Sequence, residues 1–195
     1  MTTHRIPQIF LIATFALFGT LTSARAQGYI SPLMGFDFGG DSGCQQVANC
    51  EDKRLNIGIA FGILGPILGF EEEISDARNF FGSVPSQSSS VVTVMSNVML
   101  VPALGPVHPY LSGGIGLIKT HVEFTTSSLL STTNNSLGWD TGGGVIVFFS
   151  RHVGIRGDIR HFHTFQRITI PLLGTTPGEE RLTFGRASGA LVLGF

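Results

Sequence analysis

The histidines raise the first chemical possibility. In His161-Phe162-His163-Thr164 two imidazoles stand at positions i and i+2, which an extended strand projects to one face. Such a pair could begin a metal site, with a third donor from His121 or Glu123, or could serve as the base that activates a hydroxyl. Two ligands are too few to hold a metal. Thr164 is a poor substitute for serine, and no acid shares that face to orient a base. Histidines resting at an interface are the simpler reading, and no metal or other cofactor is expected. His108 and His152 fall in short turns and read as solvated.

Carboxylates cluster once, in Glu71-Glu72-Glu73. In a strand Glu71 and Glu73 share one face, while Glu72 falls among Leu68, Phe70 and Ile74 on the other. This arrangement reads as placed charge rather than as a catalytic acid–base pair. The two cysteines, Cys44 and Cys50, lie in a polar stretch from Gly39 to Asp52 that contains no histidine and no C-x-x-C motif. In an oxidising compartment they are expected to form a disulfide that staples a loop.

The elements that position these groups are strands. Read for period two, the chain divides into eight segments: Tyr29 to Phe38, Arg54 to Phe61, Ile67 to Asp76, Val91 to Val101, Tyr110 to Val122, Leu137 to Phe149, Val153 to Phe165 and Leu182 to Phe195. The connections Gly62 to Pro66, Pro102 to Pro109 and Ser150 to His152 are short, two of them carrying Pro at their ends. Gly39 to Lys53, Ala77 to Ser90, Glu123 to Ser136 and Gln166 to Arg181 are longer and polar. Long and short connections alternate strictly, as in an up-and-down barrel with all long loops at one end.

Composition decides which way such a barrel faces. Of 195 residues 43% are hydrophobic and only 13% charged, and mean hydropathy is +0.31. A soluble domain carries about 25% charged residues. Yet beyond the N-terminal leader no apolar run reaches the roughly eighteen residues of a spanning helix, and 26 glycines argue against helix interiors. The apolar faces therefore point outward, giving an all-β, eight-stranded antiparallel up-and-down transmembrane β-barrel. The charged faces then point inward: Arg156, Asp158 and Arg160 on the seventh strand, Arg186 on the eighth, and Glu71 and Glu73 on the third. Three arginines facing two or three acids make a nearly balanced network, and burial requires them to pair.

The first 26 residues read as a secretory signal. Met1 to Arg5 is basic, Ile9 to Leu17 apolar, and Ala24-Arg25-Ala26 a small-x-small cleavage site. This leaves residues 27–195 as one domain. Arg5 and Arg25 leave with the leader, so 12 basic residues become 10 against 13 acidic ones, and nothing invites nucleic acid.

Several stretches resemble the outer-membrane β-barrel domain of Gram-negative bacteria, including small barrels such as OmpA and OmpX. They are Pro109-Tyr110-Leu111-Ser112-Gly113-Gly114-Ile115-Gly116, Asp140 to Gly144, Gly154-Ile155-Arg156-Gly157-Asp158-Ile159-Arg160-His161-Phe162 and the ending Gly189-Ala190-Leu191-Val192-Leu193-Gly194-Phe195. The resemblance spans essentially the whole mature chain. It implies the cell outer membrane, reached by the secretory pathway, with outer-membrane lipid and lipopolysaccharide as surroundings. It also implies that Leu191, Leu193 and Phe195 are the signal read by the barrel-assembly machinery during insertion. No peptidoglycan-binding domain is expected to follow.

The expected role is structural or surface-interacting, by a monomer that is not an enzyme. Eight strands leave a lumen filled by side chains rather than a wide pore, and the long loops would meet an extracellular ligand that the sequence leaves unknown. The alternative is a lipid-modifying enzyme of the lipid A deacylase kind, which would draw on His161 and His163. An aromatic girdle would have to come from Trp139, Tyr29 and Tyr110, with many of the 16 phenylalanines.

Overall fold

The computed structural model describes residues 26–40, 42, 53–80, 87–102, 104–124, 131–169 and 179–195. The leader before Ala26, and Cys44 and Cys50 with the disulfide expected of them, lie outside these residues. Eight strands follow in order: β1 (Gln27–Phe38), β2 (Arg54–Leu64), β3 (Leu68–Arg78), β4 (Gln87–Leu100), β5 (Val107–Phe124), β6 (Ser131–Phe148), β7 (Val153–Thr169) and β8 (Glu179–Gly194). Each pairs antiparallel with the next, and β1 pairs with β8 to close a barrel.

The stagger of the closure follows from the pairing. A path across the strands from Gly28 runs through Ile63, Phe70, Val98, Gly113, Thr141, His161 and Gly185, and returns to β1 at Phe38. It has climbed ten residues, from 28 to 38, which corresponds to strands tilted by about 40°. Two seams are irregular: the β7–β8 register shifts between His163 and Arg167, and the β1–β8 ladder is broken. β8 pairs with Tyr29 and Ile30, skips Ser31 and Pro32, and resumes from Leu33 to Phe38. Pro32 has no N–H to donate to the ladder.

Alternation holds across the apolar band. Leu55, Ile57, Ile59 and Phe61 face out from β2, as do Leu111, Ile115 and Leu117 from β5 and Ile155 and Ile159 from β7. Arg54, Asn56 and Ala60, Tyr110 and Ser112, and Arg156, Asp158 and Arg160 face in and are buried. A large apolar surface outside and a polar set inside reverses the arrangement of a water-soluble barrel.

At the long-loop end the strands run farther than the apolar pattern predicts. The β5–β6 ladder continues from Ile118↔Ser136 to Glu123↔Ser131, so residues 131–136 of the loop expected between Glu123 and Ser136 belong to paired strand. Likewise β4 begins at Gln87, β7 extends to Thr169 and β8 begins at Glu179. These extensions are mostly polar in sequence. Their ladders form, but they lie past the apolar band and lose the alternation by which a strand is read. The short turns sit where expected, with Gly105 at φ +69° supplying the left-handed residue of the β4–β5 turn.

Candidate functional site

The inward wall is organised in three layers. At the short-turn end Tyr29, Leu64, Met99, Val101, Tyr110, Ile146 and Val192 form one apolar cluster, with Phe148 against it. Toward the long-loop end Ala77, Phe80, Val91, Met95, Ile118, Phe162, Leu182 and Phe184 form another. Between them lies a belt of buried charge.

Alternation on β3, β7 and β8 delivers the belt, because Glu71 and Glu73, Arg156, Asp158 and Arg160, and Arg186 all occupy inward positions. Arg156 contacts both carboxylate oxygens of Glu71, and its Nε donates to Asp158 Oδ2 at 2.7 Å. Arg160 reaches Glu71 at 2.5 Å, Glu73 and Asp140 at 3.4 Å, and Asp158 at 3.8 Å. Arg186 grips Asp37 with two parallel bonds of 2.6 and 3.1 Å and donates to Glu73 at 3.1 Å. Such forked pairs are the strong form of the interaction.

The structure thus joins all six residues singled out for the lumen, and it adds four that the sequence did not. Asp37 and Asp140 supply two further carboxylates. Tyr29 donates to Glu71 at 2.5 Å and Tyr110 to Asp158 at 2.6 Å. Both tyrosines are therefore inside, Tyr110 on the face opposite Leu111, Ile115 and Leu117 as the alternation of its strand requires, so neither contributes to an outward aromatic girdle. The physical reason is that a phenol can satisfy a buried carboxylate while its ring packs in the apolar cluster below. The belt is also more acidic than expected. Asp37, Glu71, Glu73, Asp140 and Asp158 meet Arg156, Arg160 and Arg186, with Arg54 entering beside Asp37 in the register.

Neutral donors complete the belt. Asn97 is satisfied with its amide nitrogen 2.7 Å from Asp140 Oδ1 and its oxygen 3.0 Å from Arg160 Nη1. Ser188 donates to Asp158 at 2.7 Å, and Ser75 and Thr93 share a bond of 2.7 Å beside Arg186. The upper aromatic layer presses on the charges. Phe162 and Phe184 stack at 4.8 Å between centroids, and the Arg186 guanidinium lies 4.6 Å from the Phe162 ring centre. Glycines on facing strands make room for the long side chains. A Cβ at Gly144 would run into the Gly157 carbonyl and lie 2.6 Å from Asp158 Cβ.

The remaining candidates lie on the outer surface. His161 and His163 share the outward face of β7 as their spacing requires, flanking Trp139 at ring distances of 6.2 and 5.7 Å. His163 Nδ1 is 2.8 Å from Thr183 Oγ1, whereas Thr164 points inward, away from both imidazoles. Among the described residues no three His, Cys, Asp or Glu gather into a metal-holding group. Leu191, Leu193 and Phe195 all face outward beside the β1 seam, and the Phe195 N–H donates to the Gly28 carbonyl at 2.9 Å. His108, expected to be solvated in a turn, is instead the second residue of β5, half-buried with its ring 5.1 Å from that of Phe148 and its Nε2 3.1 Å from the Gly105 carbonyl.

Residues 10–189 match the model of a protein family described as the outer membrane protein beta-barrel domain. No curated protein matches the sequence. Solved structures share its shape. Neisserial surface protein A has a TM-score of 0.63 at 16% identity, with 87% of this chain and 99% of that one covered. A major outer membrane protein from Thermus thermophilus gives 0.59 at 12% identity over 88% and 100%. OprG from Pseudomonas aeruginosa gives 0.58 at 12% identity over 88% and 97%. At these identities the likeness is one of fold.

Proposed function

Since this chain belongs to the outer-membrane protein β-barrel domain family, we propose that it is a closed structural barrel that displays a surface for interaction, and neither a wide pore nor an enzyme. The observation that carries this reading is the layered lumen. Arg156, Arg160 and Arg186 cross the interior to Glu71 and Glu73 on β3 and pair with acids on their own or adjacent strands, with an apolar cluster above and another below. An ion entering the lumen would have to displace paired charges and pass two apolar layers, each hostile to it.

In this reading the chain is exported by its leader at residues 1–26. It is inserted by the barrel-assembly machinery, which recognises Leu191, Leu193 and Phe195. Lipid and lipopolysaccharide surround the wall, and the polar outer hairpins of β5–β6 and β7–β8 meet the extracellular ligand. Cys44 and Cys50 form a disulfide in the first outer loop. The test is conductance of the purified barrel in planar bilayers. Silence or brief flickers are expected, and a stable channel of nanosiemens size refutes the closed lumen. A barrel recovered as a soluble periplasmic protein, with no gel shift between unheated and boiled samples, refutes the membrane placement.

A further inference from the structure

One charged residue of the wall is not used by the lumen. Glu72 faces outward between Phe70 and Ile74, which are 40% and 42% exposed. Its depth follows from two strands that agree. Each outward step of two residues advances about 6.6 Å along a strand, or about 5 Å along the axis at a tilt near 40°. Glu72 is two such steps above Leu68 on β3, and its cross-strand neighbour Ser96 is two above Leu100 on β4. Both stand about 10 Å into an apolar band roughly 25 Å tall. The other outward charges described on the strands, Asp76, Arg78, Lys119 and Arg181, sit near or beyond its outer edge.

Nothing described beside Glu72 balances a negative charge. In the register it stands between Phe61 of β2 and Ser96 of β4, and the outward side chains around it are Ile59, Phe61, Phe70, Ile74, Val94 and Val98. Asp76 and Lys119 both pair with Val92, four residues farther along β4 than Ser96, a distance of about 13 Å. On the inner side of the sheet Glu71 and Glu73 add like charge, and Arg156, Arg160 and Arg186 are taken up by the belt. The polar contact of Glu72 is the Ser96 hydroxyl, which donates to Oε2 at 2.7 Å. One hydroxyl serves only a fraction of the acceptor sites of a carboxylate. Taking a full charge out of water without a counter-ion costs far more than burying a neutral acid, so such a group neutralises instead. Acids on the lipid face of a barrel are tolerated better than Lys or Arg, as a group able to shed its charge should be.

We propose that Glu72 is a neutral carboxylic acid set in the lipid-facing wall, and through that a modification site for apolar electrophiles that react with protonated carboxyls, the carbodiimides being the class. This rests on the barrel standing in a bilayer. In the step, the carboxyl proton passes to one carbodiimide nitrogen while the carboxyl oxygen bonds to the central carbon, and one C=N double bond becomes single. The acyl group then moves from that oxygen to the other nitrogen: a C–O bond breaks, a C–N bond forms, and the oxygen becomes a urea carbonyl. Nothing leaves and nothing is oxidised, so the whole reagent is retained. No described amine is adjacent to divert the intermediate, and the apolar surroundings withhold the water that would hydrolyse it. The belt acids differ. Asp37, Glu71, Glu73, Asp140 and Asp158 are buried inside between two apolar layers, out of reach of a reagent dissolved in lipid.

The test uses the full chain in native outer membranes, treated at neutral pH with dicyclohexylcarbodiimide or with a water-soluble carbodiimide that carries a cationic group. Intact mass and peptide mapping read the product. One reagent equivalent on Glu72 is expected from dicyclohexylcarbodiimide, and a yield lower by about tenfold or more from the cationic reagent, which hydrocarbon excludes. The yield should fall as the medium is made alkaline. Glu72→Gln should lose the label while keeping the heat-dependent gel shift of a folded barrel. Ser96→Ala should keep the label, because the acid still faces lipid. The proposal is overturned if dicyclohexylcarbodiimide leaves Glu72 unmodified, if the cationic reagent labels it equally, if the yield does not fall with rising pH, or if Ser96→Ala abolishes the label. Any of these with the barrel still in the outer membrane leaves its placement and closed lumen standing, whereas a barrel missing from that fraction fails the placement itself.

Discussion

Replacing Arg160 by Met should be far more damaging than replacing Asp140 by Asn, although the two side chains touch. Arg160 lies within 3.8 Å of four carboxylates, those of Glu71, Glu73, Asp140 and Asp158. Without its guanidinium these acids must share Arg156 and Arg186, and removing one member of a buried ionic cluster costs about 3–5 kcal/mol. Asp140 meets that guanidinium at 3.4 Å and also has the Asn97 amide. Asparagine keeps its shape and one acceptor while subtracting an acid from a belt already rich in them. Its cost should be about 1 kcal/mol, the scale of one hydrogen bond. The difference of about 2–4 kcal/mol corresponds to a gap in urea midpoint of about 1 M or more, with slopes of about 1–3 kcal/mol/M. The assay is a urea titration of barrels folded in lipid vesicles, read by the gel shift and by the fluorescence of Trp139. If Asp140→Asn lowers the midpoint as far as Arg160→Met, the belt is not short of positive charge and the reasoning is wrong.

Other consequences can be checked in the same titration. Gly144→Ala should fail to give a folded barrel, because its Cβ meets the opposing backbone, whereas Gly157→Ala should fold normally, its outward Cβ having nothing nearer than 4.0 Å. Phe184→Ala removes a ring stacked on Phe162 and edged by Phe80 at 5.0 Å, and should cost about 3–5 kcal/mol. Tyr29→Phe deletes one donor to Glu71 and should cost about 1–2 kcal/mol without changing the fold. A loss smaller than that of Tyr110→Leu, which removes both ring packing and a donor, is the ordering to look for.

The strands were legible, and their facing on all but the first and sixth, because the apolar band imposes a period of two on the segments that cross it. Glu71, Glu73, Arg156, Asp158, Arg160 and Arg186 interrupt that period on the inner side, which is why they could be named from sequence. Asp37 could not, because its partner Arg186 lies 149 residues away across the closing seam. Which β1 residue meets which β8 residue depends on a stagger accumulated over the whole circuit. Asp140 was hidden differently, in a glycine-rich strand where the alternation is too dilute to assign a face. Tyr29 and Tyr110 counted toward a girdle because composition reports how many amphipathic rings there are, not whether their hydroxyls find acids inside. The outer hairpins escaped for want of a lipid boundary to pattern them.

A closed sheet has no edge strand, so unfolding has to create one. Pro32 marks where that would begin. The skipped positions Ser31 and Pro32 leave the β1–β8 seam with fewer cross-links inside the apolar band than a continuous ladder would have. A pulling force or a strong denaturant should therefore part the wall along this line first, and backbone amides beside it should exchange with deuterium ahead of those in the β3–β4 ladder. The barrel carries its own fault line, fixed by one ring-closed residue.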